Sequence, residues 1–100
     1  GGLAQGIGQA LLEHTVYDPD SGQLLSGSLM DYALPRAADL PFFDIELIES
    51  GRHPMGVGEP ASTIVAPAVA NAIFAATGAR VRHLPITPAA VLEALKALKA

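Results

Sequence analysis

The run Gly56-Val57-Gly58-Glu59-Pro60 is the strongest single constraint on how this chain folds, because it closes an irregular stretch and opens an apolar one. Proline suits the first position of a helix, where its missing N–H costs nothing. Gly56 and Gly58 permit backbone geometries and close approaches that a Cβ would forbid. Glu59 is therefore expected at a stiff loop-to-helix junction, near the positive end of a helix dipole. A clamped carboxylate can serve as a proton acceptor. It can equally be a cap or dipole partner, the commoner role of a glutamate beside a helix start.

The chain begins Gly1-Gly2-Leu3-Ala4-Gln5-Gly6-Ile7-Gly8-Gln9-Ala10-Leu11-Leu12-Glu13. Leu3, Ile7, Ala10, Leu11 and His14 fall on one helical stripe, which predicts a first helix from Leu3 to His14. Gly6 and Gly8 each cost a helix roughly 1 kcal/mol relative to alanine, so the pattern points to tight packing against a neighbouring element. Gln5 and Gln9, four apart, share a face and offer amide donors and acceptors together. A dinucleotide fingerprint fits poorly: the third glycine is missing and no strand precedes.

Thr15-Val16-Tyr17 and Gln23-Leu24-Leu25-Ser26 read as short strands joined by Asp18-Pro19-Asp20-Ser21-Gly22, which has tight-turn chemistry. Pro35 and Pro41 forbid long regular structure between them. Phe43, Ile45 and Leu47 alternate with Asp44 and Glu46, the pattern of a half-buried strand. Ala61 to Thr77 reads as a buried helix, kinked or restarted at Pro67 and ended by Gly78. Arg80 to Leu84 is read as a strand. Thr87-Pro88 opens a last helix, with Val91, Leu92, Leu95 and Leu98 on its apolar face. The expectation is an α+β fold with about three helices and a small, mainly antiparallel sheet.

At 100 residues, with 50% hydrophobic and only 16% charged, the chain makes one domain at most. Some of its apolar surface is expected to be covered by polypeptide outside these residues. A net charge of −4 without a basic cluster argues against nucleic acid. The absence of cysteine excludes disulfides, zinc–thiolate sites and iron–sulfur ligation within these residues. His14, His53 and His83 lack ligand spacing, so no metal site is expected. The Ala61–Thr77 stretch is too short and interrupted for a membrane span. Ser62 has no nucleophile elbow, and Arg52 is expected to be solvated.

Taken together, the first helix and the Glu59 loop resemble the molybdenum hydroxylases, the large-subunit family of xanthine dehydrogenase, aldehyde oxidase and carbon monoxide dehydrogenase. Gly1-Gly2-Leu3-Ala4-Gln5-Gly6-Ile7-Gly8-Gln9 looks like the family's Gly-Gly-x-x-Gln-Gly-x-Gly-Gln helix. Gly56-Val57-Gly58-Glu59 looks like its Gly-Val-Gly-Glu loop. Tyr17 to Leu25, Met30 to Pro35 and Ala38 to Pro41 match in order and approximate spacing. The resemblance implies that residues 1–100 are the C-terminal part of a molybdopterin-binding domain, incomplete on its own.

It further implies a molybdenum-dependent oxidoreductase that hydroxylates an electron-poor carbon of an aldehyde or N-heteroaromatic, with water as oxygen source. In that family a molybdenum–pyranopterin acidifies a bound water-derived oxygen, and a glutamate matching Glu59 takes its proton as general base. Gln5, Gly56, Val57 and Gly58 are the implied cofactor-binding residues. The implied partners are the remainder of the subunit, electron-transfer subunits or domains carrying iron–sulfur clusters and flavin or another acceptor, and a small-molecule substrate. The isolated piece is expected to be inactive, and a cytoplasmic location is expected, with the periplasm as alternative. Arg52-His53-Pro54-Met55 departs from the lysine-containing approach of several members, against the carbon monoxide branch, although Met30-Asp31-Tyr32 looks like that branch. The competing reading is a small non-catalytic binding or assembly module in which Glu59 merely caps a helix.

Overall fold

A computed structural model describes residues 1–100 and contains four α-helices: α1 (Gly2–Leu11), α2 (Gly58–Thr63), α3 (Val65–Thr77) and α4 (Pro88–Leu98). One short 3-10 turn, Ala37–Asp39, lies in the long connection between α1 and α2. α1 packs on both α2 and α3. α1 stops at Leu11 rather than His14, because the N–H groups of Leu12 and Glu13 both turn back to the carbonyl of Gly8, at 2.9 and 2.8 Å. His14 is left exposed.

Local signals account for the other helix ends. Thr87 accepts the N–H of Ala90 at 3.1 Å, with Pro88 just inside α4. Gly78 ends α3 in the left-handed conformation, φ +76°, and its N–H bonds Phe74 at 2.8 Å. Pro67 stands at the third position of α3, where no intrahelical N–H bond is lost, so the helix restarts at Val65 after a break at Ile64. Pro60 is likewise the third residue of α2, not the first. The same rule makes it harmless there.

The expected small sheet is not present. The hairpin reduces to one antiparallel bridge between Tyr17 and Leu24. Around it, Asp18 N–H reaches Gln23 O and Leu25 N–H reaches Val16 O, both at 2.8 Å. Gly22, at φ +74°, closes the turn. Residues 43–47 and 80–84 form no ladder. A strand exists only through backbone bonds to a neighbour, and these residues have none alongside.

The core is small. Ala10, Val65, Ala79, Val81 and Ile86 supply its buried apolar side chains. Ile86 N–H bonds Ala10 O at 2.7 Å and ties the segment before α4 to the end of α1. Arg80 stacks over the Phe74 ring at 4.1 Å and donates to Asn71 Oδ1 at 2.9 Å. Only 9 of 100 residues are buried, and the accessible surface is 8021 Å², against about 5,400 Å² for a compact monomer of this mass. The radius of gyration, 16.7 Å, likewise exceeds the roughly 13 Å of a compact 100-residue domain. These residues do not close a globule by themselves.

By length and composition alone, the helical stretch Gly58–Thr77 would suffice to cross a membrane, with a mean hydropathy of 1.3. A break at Ile64 interrupts the stretch, and α1 packs along it.

Candidate functional site

Gln5 and Glu59 line the same cleft. It has a volume of about 340 Å³ and is walled by Gln5 and Gln9 of α1 and by Gly58, Glu59, Ser62 and Thr63 of α2. The lining contains no hydrophobic residue. On α1, spacing of four brings the two glutamines to one face. On α2, Glu59 lies three residues before Ser62 and four before Thr63, so these too share a face. What brings the faces together is the closeness of the helices: a Cβ on Gly2 would stand 2.6 Å from Ala61 Cβ.

Hydrogen bonding within the cleft is uneven. Ser62 Oγ donates to Gly2 O at 3.3 Å, a cross-helix bond, and Thr63 Oγ1 donates to Pro60 O at 2.9 Å. The side chains of Gln5, Gln9 and Glu59 make no hydrogen bond within the chain, and each is exposed. Glu59 lies in the first turn of α2, but no side chain caps this helix. Its carboxylate is neither a cap nor tied to an arginine. Gly58 has nothing within 4 Å of where a Cβ would stand, so its backbone is open to close approach.

Gly56 and Val57 lead into the cleft without lining it. Gln9, which shares a face with Gln5, joins it in the lining, although the motifs alone do not single it out. Ser62 and Thr63 are likewise additions, and their three- and four-residue spacings from Glu59 are the sequence signal that identifies them.

A larger cavity, about 600 Å³, lies between the end of α1 and residues 29–39. Its acids are already engaged locally. Asp31 accepts from Ser28 Oγ at 3.2 Å and Asp39 accepts Arg36 N–H at 2.8 Å. Tyr32 Oη donates to Glu13 Oε1 at 2.8 Å. These groups brace the loop, whereas the Glu59 carboxylate has no partner within the chain. No group of three His, Cys, Asp or Glu side chains is placed to hold a metal ion directly.

The family model of a molybdopterin cofactor-binding domain matches residues 1–41. A membrane-bound aldehyde dehydrogenase from Gluconacetobacter polyoxogenes, named for pyrroloquinoline quinone, is 43% identical over 96% of this chain and 12% of its own length. The xanthine dehydrogenase molybdenum-binding subunit of Escherichia coli O157:H7 is 38% identical over 93% of this chain and 13% of its own. Among solved structures, quinoline 2-oxidoreductase from Pseudomonas putida 86 superposes with a TM-score of 0.83. It is 36% identical and is matched over 96% of this chain and 13% of its own. The chain thus spans about an eighth of the length of these relatives. With the ordered motifs and the shared fold, these likenesses identify the chain as a fragment of the molybdenum hydroxylase family.

Proposed function

We propose that this segment supplies the general base of a molybdenum-dependent hydroxylation of an aldehyde or N-heteroaromatic, with water as the source of oxygen. The observation that carries this reading is the cleft itself: an unpaired Glu59 carboxylate faces two unpaired amides, Gln5 and Gln9, across a lining without hydrophobic residues. The names of relatives, which speak of aldehyde, xanthine and quinoline, support the substrate class.

The donor set suits a pyranopterin, a ligand rich in hydrogen-bonding edges. Gln5 would pair with it through its amide, and Gly58, lacking a Cβ, would admit it close to the backbone, with Gly56 and Val57 shaping the approach. When bound, the molybdenum cofactor would supply Lewis acidity toward water and accept the electrons of the oxidation. This chain's own part is to receive a proton at a Glu59 carboxylate oxygen, which needs a charged, positioned acceptor. The first turn of α2 holds the carboxylate there, and the Gly2–Ser62 bond holds α2 on α1. Iron–sulfur centres would lie in partner subunits or domains, because this segment has no cysteine to ligate them, and a flavin or other acceptor would take the electrons on from them.

The test is Glu59→Gln in the full-length subunit. Turnover falls by about 10²–10⁴-fold, the typical contribution of a positioned base, while molybdenum content and thermal stability stay at wild-type values. A capping role predicts the opposite, a stability loss of about 1 kcal/mol with little change in turnover. The missing cap bond at Glu59 speaks against that second reading.

A further inference from the structure

We propose that Ser62 is a positioning residue: through its bond to Gly2, its hydroxyl fixes α2 in the place from which the Glu59 carboxylate works. The inference rests on the reading of Glu59 as the base and deepens it. α2 has only six residues, no side-chain cap at its start and no fully buried residue. Helices shorter than about 12 residues are marginal by themselves. The place of α2, and with it the place of Glu59 in its first turn, is therefore set by what the helix docks on.

Two kinds of contact join α2 to α1. The first is steric. A Cβ on Gly2 would stand 2.6 Å from Ala61 Cβ and 3.2 Å from Gly58 O, and one on Gly6 would stand 3.0 Å from Ser62 O. These small residues set how closely the helices approach, but such a smooth face resists sliding and rolling only weakly. The second contact is directional. Ser62 Oγ donates to Gly2 O at 3.3 Å, the one side-chain hydrogen bond from α2 to another element. Thr63 Oγ1 is spent on Pro60 O, inside α2 itself. Ser62 is half-buried in the cleft wall and lies three residues after Glu59 on the same face. Any slide or roll of α2 that breaks the Ser62 bond therefore carries the carboxylate with it. A misplacement of about 1 Å can cost a reacting group about a hundredfold in rate.

A double-mutant cycle in the full-length subunit tests this. Ser62→Ala lowers kcat about threefold to tenfold, the factor that one net hydrogen bond represents, and leaves KM unchanged. In the Glu59→Gln background the same substitution costs nothing further, because no base is left to position. Amide hydrogen exchange supplies a readout independent of turnover. In Ser62→Ala the amides of α2 exchange faster by a similar factor, while those of α4 keep their wild-type rates. Three results overturn the proposal: full turnover of Ser62→Ala, an equal loss in both backgrounds, or exchange that is unchanged in α2 or accelerated throughout the chain. The last would make Ser62 a general stabiliser. A fully active Glu59→Gln variant sinks the base and the positioning together. An impaired Glu59→Gln variant with an additive Ser62→Ala loss sinks the positioning alone.

Discussion

Gly6 of α1 meets Val65 of α3 so closely that a Cβ built on the glycine would stand 2.6 Å from Val65 Cβ and 3.0 Å from Ser62 O. No rotamer relieves such a contact, because both neighbours belong to or adjoin the backbone. The approach sets α1 along α2 and α3, and with it the distance across the cleft between Gln5 and Glu59. The glycines that weaken α1 as a helix are thus the ones that let it dock.

Gly6→Ala is therefore expected to destabilise the protein. The gain in helix propensity is about 0.5–1 kcal/mol, and overpacking costs about 1–3 kcal/mol, so the clash wins. Chemical denaturation of the full-length subunit measures the net loss. Gly27→Ala, in an exposed loop where an added Cβ would make only ordinary contact with Leu24 at 3.5 Å, is the neutral control. Equal midpoints for the two variants would show that the helices are not in contact as described.

Gly58→Ala separates packing from ligand approach. The added methyl meets no atom of the chain within 4 Å, so folding stability should hold or rise slightly. If the cofactor comes close to this backbone, the same methyl stands in its way. Cofactor content or turnover then falls at unchanged stability. A variant normal in both would remove Gly58 from the binding surface.

Thr87→Ala tests the best-defined helix start. Loss of the bond from Ala90 N–H should cost about 1 kcal/mol, read as a lowered denaturation midpoint, and Thr87→Ser should recover most of it. An unaffected Thr87→Ala midpoint would mean that α4 is held by packing alone.

These cases show which parts of the structure are written locally. The ends of α3 and α4 follow from Gly78, Thr87 and Pro88, whose effects act within one turn, and all three were readable. The sheet was not, for a physical reason: the alternation of Phe43, Ile45 and Leu47 reports a face, while a ladder needs a neighbour that this segment does not contain. The α1 stripe overran its true end because periodicity is blind to where the carbonyl of Gly8 takes up two N–H groups. At the site, Gln5 and Glu59 were brought together in the sequence by family resemblance, and the structure sets them in one cleft through the Gly2 and Gly6 contacts, which no local rule predicts. Ser62 and Thr63 were within reach, since helix spacing from Glu59 names them.

Tyr32 gives a pH-dependent test of the long loop. Its phenol donates to Glu13 Oε1 at 2.8 Å, and this bond, with burial and the Glu13 charge as smaller causes, raises its pKa above the ordinary 10.0. A raised pKa in the folded state means that the stabilisation is complete below the unfolded value and is lost as pH climbs through the folded one. The loop at residues 28–36 should therefore loosen only in the alkaline range above pH 10, with no effect near neutrality. Ultraviolet titration of the phenols reads this directly, because Tyr17 is the only other tyrosine. Tyr32→Phe removes the later-titrating component and lowers stability at neutral pH, and Glu13→Gln moves that component toward lower pH. Should Glu13→Gln leave the titration curve where it was, the Tyr32–Glu13 bond is not what braces this loop.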